Sequence, residues 1–117
     1  MTRVAVECGA CGFQAEIEVV RDGKRTVSLR LESGCPAVGR WGAAMERIEW
    51  REPLGGVSTA LNFWKSALEA LDHRTCPVPV AVLKAIEVEI GAALPVDTAI
   101  RFLPSRRPTS LVPAKES

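Results

Sequence analysis

Residues 3–35 read RVAVECGACGFQAEIEVVRDGKRTVSLRLESGC, and their alternation decides the class of fold. Val4, Val6 and Cys8 recur at every second position, as do Ala15, Ile17 and Val19, and then Val27, Leu29 and Leu31. A period of two turns one face of each run toward a core, which is the pattern of half-buried strands. Asp22-Gly23, between the second and third runs, is a strong hairpin signal because both residue types tolerate the backbone of tight turns. The first third of the chain is therefore expected to be a three-stranded antiparallel meander.

Beyond Cys35-Pro36 the period changes. Val38, Trp41, Met45 and Ile48 recur at helical spacing and predict a helix over about 36–49, although Gly39 and Gly42 weaken its first turn. "EPLGG" at 52–56 breaks it. Ser58 or Thr59 is then expected to cap a second helix to about residue 72, with Val57, Leu61, Trp64, Leu68 and Leu71 as its apolar stripe. Val82, Leu83, Ile86, Ile90 and Leu94 favour a third helix that starts after Pro77 and Pro79 and ends at Gly91. Thr98, Ile100 and Phe102 alternate in "DTAIRFLP" and predict a last strand. The expected fold is α+β: a small antiparallel sheet of three N-terminal strands and a C-terminal one, packed with about three helices. A single domain over 1–103 and a flexible proline-bearing tail over 104–117 complete the expected layout.

Composition limits the function classes. The formal charge is +1 with 25% charged residues, so no strong field draws the chain to nucleic acid or to an anionic membrane. The sequence lacks a basic segment backed by an apolar run at its start, and lacks the roughly 20 apolar residues a spanning helix needs. A cytoplasmic protein is expected, and there four cysteines point to metal or redox chemistry before disulfides.

Cys8 and Cys11 form a Cys-x-x-Cys pair in a glycine-rich turn, while Cys35 and Cys76 stand alone. Cys11 and Cys35 each lie twelve residues from Gly23, so two equal extended legs bring Cys35 back beside Cys11. Two antiparallel helices over 36–49 and 57–72 would return Cys76 to the same end. Cys35-Pro36 and Cys76-Pro77 precede predicted helices, where unpaired N-H groups and the helix dipole favour a thiolate. Gly9 and Gly12 let the "CGACG" turn tighten so that both sulfurs face one ion. Cys8, Cys11, Cys35 and Cys76 are thus the candidate ligands. Four thiolates suit a [4Fe-4S] cluster or tetrahedral zinc. The pair resembles one knuckle of a zinc ribbon, but a second knuckle is missing and scattered single cysteines suit iron-sulfur sites better. A metal-free set of small apolar cysteines stays open beside both.

Other candidates are weaker. A thioredoxin-like dithiol needs a helix after its first cysteine, and strand-like sequence follows Cys8. His73 precedes Cys76 by three residues and can replace one sulfur, though a solvent-facing histidine at a helix end is the simpler reading. Trp41 and Trp64 read as core, and Trp50 as a partner anchor or an edge residue. Glu87 and Glu89 are spaced off one helix face and make a poor acid-base pair. Arg106 and Arg107 in the tail read as solvated charges. Neither a phosphate-binding glycine loop nor a credible nucleophile triad is present.

"ACGF" at 10–13, "ESGC" at 32–35, "CPVP" at 76–79 and "KAIEVEIGAALP" at 84–95 together resemble a functionally uncharacterised family of small cysteine-motif proteins of anaerobic archaea and bacteria. The resemblance covers most of residues 1–103. It carries over Cys11, Cys35 and Cys76, whereas Cys8 lies outside the pattern. Anaerobic hosts imply an iron-sulfur cluster before zinc, and three thiolates would leave one iron open. The sequence therefore leads to the expectation of a small iron-sulfur protein, either an electron-transfer protein or an accessory subunit bound to a protein partner in a redox system. The alternative is a zinc-stabilised interaction module, and an enzyme with an open iron is a third possibility.

Overall fold

The meander forms as the alternation requires. In the computed structural model, which describes residues 1–106, β1 (Thr2–Glu7), β2 (Gln14–Arg21) and β3 (Thr26–Ser33) pair antiparallel in chain order. The register sets Val4 opposite Ile17 and Val19 opposite Leu29, so the apolar members of the three strands share one face. Ala15, Ile17, Val19, Val27 and Leu29 are buried there, while charged residues occupy the other face. The β2–β3 turn is closed by Asp22, whose backbone N-H donates to the Thr26 carbonyl and whose carboxylate accepts from the Thr26 and Ser28 hydroxyls.

The predicted first helix is cut short. α1 covers Pro36–Ala43, and Arg47–Glu49 instead forms β4, the fourth strand of the sheet, antiparallel to β3 with Ile48 opposite Val27. Two further bonds extend the pairing, from Leu29 N-H to the Glu46 carbonyl and from Trp50 N-H to the Arg25 carbonyl. The free edge of β3 supplies the reason: its unpaired backbone groups are satisfied by an extended segment and not by another helical turn. A single helical turn, α2 (Arg51–Leu54), stands where a helix break was expected.

α3 covers Val57–Ala70 and α4 Val78–Glu89. α3 begins at Gly56 and not under a Ser58 or Thr59 cap; the Thr59 hydroxyl donates to the Gly56 carbonyl. Its buried residues are Phe63 and Ala67, with Trp64 partly buried. Of the predicted stripe only Leu71 is buried, while Val57, Leu61 and Leu68 face solvent. The helix is apolar on more than one side, and the bulky aromatic Phe63, edge-on to Trp41 at 5.5 Å between centroids, takes the core position. α4 ends as expected, with Gly91 at φ 83° and Ala92 N-H returned to the Glu87 carbonyl.

α1 and α4 cover the core face of the sheet: α1 packs on β3, and α4 on β1 and β2. Trp41, Val38, Val78, Val82 and Ile86 fill the layer between. The predicted C-terminal strand is absent from the sheet. Residues 95–106 form no strand or helix and are exposed throughout. Most of the expected tail, residues 107–117, lies outside the described residues. The fold is α+β with an open four-stranded antiparallel sheet, but its fourth strand comes from the middle of the chain.

Candidate metal centre

Each cysteine is delivered by a different local device. Cys8 follows β1 on the parity of Val4 and Val6, so it continues the core-facing side and packs against the core. Its N-H donates to the Phe13 carbonyl, and Gly12 N-H donates to the Gly9 carbonyl, which closes the loop that carries Cys11. Gly9 and Gly12 take φ values of 85° and 80°, a backbone that side-chain-bearing residues resist. Nothing lies within 4 Å of a Cβ built on either one, so the backbone twist and not space calls for glycine.

Cys35 is the N-cap residue of α1, with Pro36 in the first helical position. Its side chain makes no capping bond; its N-H instead donates to the Ser33 hydroxyl, which itself donates to the Gln14 carbonyl. The β2–β3 register sets Ala15 opposite Ser33, so Cys35 leaves β3 at the end where Cys11 enters β2. The hairpin arithmetic therefore holds.

Cys76 precedes Pro77, the N-cap of α4. Its position follows from the other end of that helix. Glu89 accepts from the Thr2 hydroxyl at 2.7 Å and from the Arg21 N-H at 3.0 Å, and lies 3.6 Å from the N-terminal ammonium. The C-terminal end of α4 is thus fastened where β1 starts. A helix of 12 residues rises about 18 Å, close to the roughly 20 Å of a six-residue strand. The N-terminal end of α4, with Cys76, therefore falls where β1 finishes, beside Cys8. The return of Cys76 was expected from a pair of long helices; the outward leg is in fact α1 followed by β4, and the return leg is α3.

The thiols meet there. Cys8 is pushed from 9.0 up to about 11, first by burial, then by the charges of Cys76 and Cys11, by a hydrogen bond with Cys11, and by Cys35. Cys8, Cys35 and Cys76 are half-buried and Cys11 is exposed. The side chains are gathered but not closed on a common centre: among the described residues no three His, Cys, Asp or Glu side chains form a metal-ready set. His73 is exposed, the solvent-facing alternative weighed for it.

Glu89 is the positioning residue the sequence did not reveal, since its partners lie 87 and 68 residues away. Trp50 is an edge residue, partly buried against the core, with the guanidinium groups of Arg21 and Arg51 over its ring at 5.8 and 5.7 Å. No described helix is long and apolar enough to cross a membrane.

A family model described as Family of unknown function (DUF6951) matches residues 2–102, and the chain belongs to that family. No curated protein and no solved structure matches it.

Proposed function

We propose that this member of the family is a small iron-sulfur protein in which Cys11, Cys35 and Cys76, with Cys8 as the fourth thiolate, hold a [4Fe-4S] type cluster. Its work is electron transfer, alone or as an accessory subunit docked on a protein partner in a redox system. The observation that carries this reading is the convergence of three chain passages, the β1–β2 loop, the start of α1 and the start of α4, each bringing cysteine to one end of the sheet. Half-buried cysteines of a plain core need not influence one another, whereas Cys8 feels all three others.

The donor chemistry favours the cluster. All four candidates are sulfur, the lone histidine is exposed, and two of the thiols stand at helix starts. Three half-buried thiols and one exposed one also suit an electron carrier, since exchange with a partner needs one accessible edge. A second reading, a zinc-stabilised interaction module, draws on the positive-φ glycines of the "CGACG" loop, which give it the shape of a single zinc knuckle.

Anaerobic purification, metal analysis and an absorption spectrum separate the two. A brown protein with iron and sulfide that bleaches with dithionite supports the cluster. A colourless protein with bound zinc supports the module. Protein isolated without metal from cells supplied with both overturns both readings. Replacing Cys11, Cys35 or Cys76 by alanine is expected to remove the metal. If Cys8→Ala retains a cluster that sheds one iron on mild oxidation, the fourth iron is open and available to a substrate.

A further inference from the structure

Two features of the chain are unsatisfied on their own and match each other. β1 is an edge of the sheet, and among the described residues its outer side has no strand beside it. Residues 96–103, VDTAIRFL, lie between Pro95 and Pro104 as an exposed arm, with Val96, Ile100, Phe102 and Leu103 at 74, 87, 100 and 82% exposure. Among the described residues, 97–106 make no backbone hydrogen bond. An extended run of bare apolar side chains beside an unpaired strand edge is a costly surface for a lone chain.

We propose that this arm pairs as a strand with the β1 edge of a second copy of the chain, in reciprocal exchange. Charge selects the direction. A parallel alignment sets Asp97 against Arg3 and Arg101 against Glu7, and puts Val96, Thr98 and Ile100 on the core-facing side with Thr2, Val4 and Val6. The antiparallel alignment of equal length sets Arg101 against Arg3 and Asp97 against Glu7, and like charges directly opposite are unfavourable.

A second copy fits better than the arm's own edge. Gly91, at φ 83°, turns the chain off α4 beside the start of β1, yet the arm stands clear of the edge that is free next to it. The size is adequate. Each bulky apolar side chain removes on the order of 100 Å² from water, so Val96, Ile100 and Phe102, which share the core-facing parity, give roughly 300 Å² per arm. Two arms and the surfaces they cover reach about 1,200 Å², the lower end of the range for a stable dimer.

Sedimentation equilibrium on the protein as isolated tests this. A dimer is expected, falling to monomer in Ile100→Asp/Phe102→Asp with the far-ultraviolet spectrum unchanged. Glu7→Arg removes the pair at both reciprocal contacts and is expected to weaken the dimer up to about thirtyfold, and adding Arg101→Glu to restore it. A full chain that stays monomeric at about 100 μM, or a dimer indifferent to the arm, overturns the proposal. So does a monomer whose arm amides are protected from exchange, because the arm would then close on its own edge.

Discussion

Cys8 ends β1 on the same face as Val4 and Val6, so the alternation that makes it a strand residue also half-buries it among three other thiols. Its folded-state value near 11 stands above the ordinary 9.0, which means the fold favours the protonated thiol. That contribution is complete below pH 9 and is lost as the pH rises toward 11. The thermal midpoint of metal-free protein is therefore expected to fall over this interval, and Cys8→Ala to flatten the fall. A flat profile in the wild-type chain would contradict the burial of Cys8 beside the other thiols. For the proposed cluster, the same value makes uptake compete with a proton on Cys8, so binding is expected to tighten with pH. The gathering of the cysteines at one end was legible at this scale, because hairpin arithmetic needs only chain order. The roles of Gly9 and Gly12 were legible too, since few residues but glycine accept their φ.

Elements were legible where one period ruled and illegible where two competed. Met45, Ile48 and their neighbours satisfy helical spacing, yet Arg47–Glu49 pairs with β3 because an open edge exerts a tertiary demand no local window displays. On α3 the exposed Val57, Leu61 and Leu68 formed the neater stripe, and Phe63 won the core by contact with Trp41. α1 is held close to β3 through Gly42, where an added Cβ would meet the Leu31 Cβ at 2.7 Å, close to its backbone. Gly39, one turn earlier, has nothing within 4 Å. Gly42→Ala is expected to cost about 1–3 kcal/mol in urea unfolding, and Gly39→Ala to add up to about 1 kcal/mol through helix propensity. Equal effects would contradict this packing of α1. α4 is aimed by Glu89. Glu89→Gln weakens two bonds to a carboxylate and is expected to cost about 1–3 kcal/mol at neutral pH. The Thr2 hydroxyl and the Arg21 N-H hold this carboxyl below the usual range, so its contribution persists above the ordinary carboxylate value and fades as acid protonates it. The gap between wild type and variant should therefore close in acid; a gap independent of pH would assign Glu89 a packing role only.

Across the whole molecule the core and the cysteine end are separable. The buried set runs from Ala15 to Ile86 through the sheet, α1, α3 and α4, contains no polar or charged side chain, and includes none of the four cysteines. The thiols sit at the rim, where they join two loops and a strand end that the sheet register and Glu89 have already brought together. This differs from a small zinc finger, in which the metal replaces a core the chain is too short to build. A domain with its own core gains from a ligand only what binding to the folded state contributes by mass action. If the proposed metal is bound, removing it with a chelator under reducing conditions is therefore expected to leave the far-ultraviolet spectrum of the sheet and helices in place. The thermal midpoint should fall by several degrees for each kcal/mol of binding energy lost. Hydrogen exchange would locate the loosening at residues 8–13 and around Cys76, while the amides of β2 and β3 stay protected. Global unfolding on metal removal would contradict a self-sufficient core and make the cysteine end the structural centre of the protein.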